Sequence, residues 1–104
     1  MERKIIISSK YKKDIKPYKH DQKLNKELQQ VVAMLKSGIP LPAKYKDHEL
    51  SGNYKGYRDC HIRPNAVLIY ERADDYIGLV RFGPHNKLGL TESTLKLHLK
   101  ELED

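Results

Sequence analysis

Cysteine is almost missing from this 104-residue chain. Cys60 stands alone, so no internal disulfide can form, and stability has to come from packing, as suits a reducing compartment. Long apolar runs are missing too. The opening MERKIIISSKYKK holds only Ile5, Ile6 and Ile7 in succession, far short of a signal peptide or a spanning helix, so the chain reads as cytoplasmic and not inserted in a membrane. No repeat, low-complexity tract or domain linker breaks the sequence. The length gives one domain with a single modest core and no room for a cofactor-sized architecture, so no cofactor is expected. Acidic residues are in deficit, 14 against 20 lysines and arginines, for a formal charge of +6. That balance favours an anionic partner through counterion release, leaving RNA, DNA, an acidic protein and a membrane surface open.

Local patterns give a coarse order of elements. Lys4 to Ser8 is short and β-branched, as a strand requires. Ser9 can cap a first helix over Lys10 to Lys19, bent or shortened by Pro17. Asp21 can cap a second helix, in which Leu24, Leu28, Val31, Val32 and Leu35 recur at helical spacing until Gly38 supplies a left-handed stop. Pro40 and Pro42 predict a loop over residues 39–53 that carries Lys44, Lys46 and His48. Three strand-like runs follow, Tyr57 to Arg63, Val67 to Glu71 and Tyr76 to Phe82, with turns at Pro64-Asn65 and Asp74-Asp75, and they read as an antiparallel meander. Alternation puts Cys60 and Ile62 on one face of the first run and Asp59, His61 and Arg63 on the other. Thr91 and Glu92 start a last helix striped by Leu95, Leu99 and Leu102, expected to pack back on the domain. The order predicts an α+β domain with the helices on one side of the sheet.

The stretch from Asp47 to Leu90 carries the chemistry. His48, His61 and His85 lie among Arg58, Arg63 and Arg81. Imidazoles trade protons near neutral pH and guanidiniums hold phosphates, and together they are the parts of an RNA-cleaving site that needs no metal. A zinc site made of the three histidines is disfavoured, because the closely spaced ligand pairs of common zinc motifs are absent.

The segments PLPAKYKDHEL, GNYKGYRDCHIRP, LIY and RFGPHNKLGL, in that order and spacing, closely resemble the YafQ branch of the RelE-type toxins. The resemblance covers about residues 1–90, taken as the toxin domain, with residues 91–104 as a helical extension of it. It implies a RelE-like fold: an antiparallel twisted sheet of about four strands, two N-terminal helices packed on one face, and here an extra C-terminal helix. It also implies a ribosome-dependent mRNA endonuclease that cuts the codon in the A site, near 16S rRNA, and a cognate antitoxin that silences it. Operator DNA would be met only through that antitoxin, and no membrane is involved.

Carried over by position, His48 matches the histidine of the family's D-H-x-L motif, His61 that of the R-D-x-H motif, and His85 the one after the final strand. Metal-free cleavage needs a base for the 2′-hydroxyl proton, an acid for the leaving 5′-oxygen and a cation for the phosphorane charge. His85 and His61 are the candidates for proton transfer, with His48 assisting or orienting, and Arg81 for the charge. Lys46, Lys55, Arg58 and Arg63 would orient mRNA or bind ribosomal RNA. The remaining site positions depart from the family. Asn65 stands where Asp is common and cannot accept a proton at pH 7, Ala66 replaces a larger residue, and Gly89 replaces a Phe on which a base could stack. These departures imply weakened activity, or a toxin homologue that only binds antitoxin or RNA in repressing its own operon. Arg58 and Arg81 have a structural alternative as cross-strand partners of Asp59, Glu71 or Asp74.

Overall fold

The computed structural model describes residues 2–50 and 57–84. Strand β1 (Lys4–Ile7) leads into α1 (Ser9–Ile15), a 3-10 turn at Lys16–Tyr18, and α2 (Gln22–Ser37). A second 3-10 turn at Ala43–Tyr45 precedes β2 (His48–Glu49), β3 (Tyr57–Arg63), β4 (Ala66–Arg72) and β5 (Tyr76–Gly83).

The five strands form one sheet in the order β1-β5-β4-β3-β2. This sheet differs from the expected one in two respects. The sheet has five strands rather than about four, because His48–Glu49 pairs with Arg58 and Asp59 inside the stretch read as loop. Two residues are too short to show any alternation in sequence. The sheet is also not wholly antiparallel: β1 runs parallel to β5, from Lys4 opposite Tyr76 to Ile7 opposite Leu79, with the helices and the meander as the long connection that parallel pairing needs.

Helix α2 follows its sequence signals. Asp21 accepts from the Leu24 amide at 3.0 Å, and Gly38 ends the helix at φ 76°. The Ile39 amide then returns to the Met34 carbonyl at 2.9 Å, which closes a Schellman-type stop. Leu24, Leu28, Val31 and Leu35 are buried, each contributing about 1.5–3 kcal/mol by leaving water. They pack with Tyr11, Tyr45, Cys60, Ile62, Ala66, Leu68, Tyr70, Ile77, Leu79 and Phe82. Helix α1 is capped by Ser8 rather than Ser9. The Ser8 hydroxyl accepts from the Tyr11 amide at 3.0 Å and donates to the Val80 carbonyl at 2.6 Å, so one side chain serves both helix and sheet.

Two register shifts decide which way the charged residues face. On β5, Tyr70 is opposite Leu79 and Ile69 is opposite Arg81, which leaves Val80 as an extra residue. The shift reverses the alternation, so that Leu79 and Phe82 both join the core while Arg81 turns to the opposite face. On β3 a shift between His61 and Arg63 puts Arg63 opposite Ala66, which belongs to the core face. The Pro64-Asn65 turn has no positive φ, unlike the hairpin turns that match strand twist, and the bulge beside it takes up the difference. Simple alternation therefore misplaces Arg63, which leaves the face of His61 and turns toward α2. The C-terminal helix and the division of the chain at residue 90 lie outside the described residues.

Candidate functional site

Pairing across the sheet lines up one transverse row on the face away from α2. His48 on β2 is opposite Asp59 on β3, Asp59 is opposite Ile69 on β4, and Ile69 is opposite Arg81 on β5. His61 is opposite Val67 in the next row of the same face. Strands lie about 4.8 Å apart, so the row from His48 to Arg81 spans about 14 Å. Val67 and Ile69, both fully buried, lie between its polar ends.

His48 is held on one ring nitrogen. Its Nδ1 lies 2.8 Å from the Lys46 carbonyl oxygen and 2.9 Å from Asp59 Oδ1. Both neighbours are acceptors, so Nδ1 carries a proton, and in the uncharged form of the ring the lone pair is on Nε2. The His48 side chain is 55% exposed while that of Asp59 is 3% exposed, which gives a reachable imidazole with a buried carboxylate behind it. Lys46 has φ 49°, a left-handed conformation that costs a non-glycine residue of order 1 kcal/mol or more. That turn is what directs its carbonyl at the ring.

Each arginine of the proposed site is engaged by a carboxylate that local sequence did not reveal. Arg81 Nε and Nη2 meet Asp14 at 2.5 and 3.1 Å, and Asp14 also accepts from the Phe82 amide at 3.0 Å. Arg63 makes two bonds to Asp21, at 2.8 and 3.2 Å. Hydrogen bonding by Arg63, then by the Leu24 amide, holds the Asp21 carboxyl below the usual carboxylate range. Arg58 Nε donates to Asp47 at 3.0 Å, and the Tyr70 hydroxyl donates to the same oxygen at 2.5 Å. Burial pushes the Tyr70 phenol up and the Asp47 hydrogen bond pushes it further, so Tyr70 remains a donor. The ion-pair alternative for Arg58 and Arg81 is thus realised with Asp47 and Asp14, not with Asp59, Glu71 or Asp74. Asp14 and Asp21 are 67 and 42 residues away from their arginines, and no local pattern could link them.

Beside the row, a depression of about 230 Å³ is lined by Lys44, Lys46, His61, Ile62, Arg63 and Pro64. Three cations and an imidazole around one hollow suit a phosphate. Lys44, expected on the loop with Lys46 and His48 but not among the proposed RNA contacts, joins them here. Asn65 is exposed on the turn at the rim, whereas Ala66 is buried in the core. His85, Lys55 and Gly89 lie outside the described residues. Cys60 is fully buried, and burial, followed by the charges of Asp47 and Asp59, pushes its thiol up, as fits a packing role.

Among the described residues, two helices on a five-stranded sheet make a small α+β domain with the build of the RelE-like toxins. The same fold occurs in the YoeB dimer from Staphylococcus aureus, at 22% identity and a TM-score of 0.69, covering 82% of this chain and 99% of that one, a likeness of fold alone. The family described as "Bacterial toxin of type II toxin-antitoxin system, YafQ" matches residues 3–90. The mRNA interferase toxin YafQ of Escherichia coli strain K12 is 39% identical over 89 residues, 85% of this chain and 97% of that protein. A crystal structure of the E. coli DinJ-YafQ toxin-antitoxin complex matches with a TM-score of 0.76 and 39% identity, covering 85% of this chain and 98% of that one. The chain belongs to the YafQ family of toxins.

Proposed function

We propose that this chain is the toxin of a type II toxin–antitoxin pair and acts as an mRNA endoribonuclease that inhibits translation. The observation that carries this reading is the placement of His48, Asp59, His61 and Arg81 on one face of the sheet, next to a cation-lined hollow. The curated relative is named an mRNA interferase toxin, and the matched structure holds its toxin with an antitoxin.

In this reading the RNA strand lies along the polar face. Its phosphates are met by Lys44 and Lys46 at the hollow, with Lys55 as a further contact, while Arg58 and Arg63, turned to the helix side and held by Asp47 and Asp21, brace the sheet. His61 and His85 exchange protons with the 2′-hydroxyl and the leaving 5′-oxygen, and His48 assists through Nε2. Arg81 places positive charge where the phosphorane forms. Because Arg81 and His48 stand about 14 Å apart, they meet different parts of the bound strand. The substrate is the mRNA codon in the ribosomal A site beside 16S rRNA, the chemistry needs no metal, and the setting is the cytoplasm. A cognate antitoxin restrains the toxin and carries it to operator DNA. Among the described residues, no helix is long and apolar enough to cross a membrane.

A second reading has one specific observation behind it. Asp14 already occupies two donors of Arg81, and Asn65 offers no carboxylate, so a homologue that binds antitoxin or RNA without cutting would look the same here. Inducing the chain in bacteria and mapping transcript ends separates the two. The enzyme halts growth and leaves cut messages, and the binder does neither.

A further inference from the structure

The buried side of the sheet reaches the proposed site through one connection that the reaction scheme does not use. Tyr70 belongs to the core face of β4, opposite Arg58 on β3. Both converge on Asp47 Oδ1, the residue immediately before His48. Asp47 is thereby fixed on the helix side of the sheet, and His48, one residue on, is presented on the other side beside Asp59. On the other flank of Asp47, Lys46 holds its left-handed turn and points its carbonyl at His48 Nδ1.

We propose that Tyr70, acting through Asp47, is a positioning residue for His48: it holds the segment Lys46–His48 so that the imidazole keeps its proton on Nδ1 and its lone pair on Nε2. This deepens the RNase reading and rests on it for its consequence in catalysis, but the geometry stands apart from any activity. A ring that is free to rotate would exchange the two nitrogens and present an N–H where the reaction needs an acceptor. The Lys46 carbonyl, which accepts from Nδ1, prevents this only while the segment stays in register beside Asp59, and the Tyr70 hydroxyl is the buried anchor of that register.

The test uses the full chain labelled with ¹⁵N-histidine, at a pH where the imidazole is neutral, with Tyr70→Phe as the principal variant. Phe fills the same space in the core, so only the hydroxyl is lost. In the parent protein, His48 should show a protonated Nδ1 and a lone pair on Nε2, and Tyr70→Phe should give a mixture of the two tautomers. In ribosome-programmed cleavage, kcat should fall about tenfold or more with KM little changed, as expected for a misoriented catalytic group. Asp47→Asn, which keeps the chain's shape but weakens the anchor, should move both readouts the same way. A His48 that has its proton on Nε2 in the parent, or a tautomer that neither variant disturbs, overturns the proposal whatever kcat does. If the tautomer shifts as expected while the parent cleaves no RNA, the RNase reading fails and the positioning role stands.

Discussion

Asp14 on α1 and Arg81 on β5 form a two-bond ion pair at the open edge of the sheet, beyond the last pairing of β1 with β5 at Ile7 and Leu79. The same carboxylate accepts from the Phe82 amide, so it also completes the strand edge that β1 leaves unpaired. The residue proposed to meet the phosphorane is thus also a structural joint between α1 and the sheet.

Asp14→Asn should therefore destabilise the fold. The pair is about 15% exposed on each side, and Asn removes the charge that binds Arg81 through two donors. The expected loss is about 2 kcal/mol, below the range for full burial, because Asn still offers an oxygen to the Phe82 amide. Urea denaturation measures it. Arg81→Ala should cost at least as much, so its activity is meaningful only beside its unfolding curve.

The Asp21–Arg63 pair sets a direction for acid stability. Asp21 has its folded pKa lowered by the Arg63 hydrogen bonds, so its contribution is fully present above the unfolded carboxylate value of about 3.9 and is lost as pH falls through the lower folded value. Asp21→Asn should flatten the pH dependence of stability below about pH 4 and leave its slope above pH 6 unchanged. Chemical denaturation at a series of pH values gives the answer.

Cys60 should resist thiol reagents in the native protein. It is fully buried and its thiol is pushed up by burial, so little thiolate forms and none is reachable. Labelling should follow global unfolding in denaturant. Prompt labelling of folded protein would show that this part of β3 opens locally.

Restoring the carboxylate at the rim should raise activity. Asn65 is exposed on the β3–β4 turn, so Asn65→Asp is tolerated by the fold, and a proton acceptor there is worth about 10²-fold or more where proton transfer limits the rate. Combined with Gly89→Phe, it should strengthen growth arrest and the yield of codon-specific cuts. No gain in either would show that these positions are not what limits this chain.

The parts of the fold that could be read from the sequence are those whose determinants are local. Asp21, the leucine spacing of α2 and Gly38 define one helix completely, and the apolar runs of β3, β4 and β5 mark the meander. The parallel pairing of β1 joins segments 72 residues apart, the two-residue β2 is too short to show alternation, and both register shifts break the alternation that sequence would extrapolate. The shifts mattered most for the site, since they decide that Arg81 shares a face with His48 and that Arg63 does not. His48 and His61 could be chosen by motif, but the pairing of Arg81 with Asp14, Arg63 with Asp21 and Arg58 with Asp47 is set by folding.

A histidine-bearing face that cuts mRNA leaves new RNA ends that depend on its histidines. The most direct measurement is mapping of RNA 5′ ends in a purified translation system programmed with one message, comparing the parent chain with His61→Ala and His48→Ala. Discrete cuts at codons occupying the ribosomal A site are expected with the parent, reduced at least 10²-fold in His61→Ala and more mildly in His48→Ala. Unchanged cutting by both variants, or intact message with the parent chain, would contradict this expectation.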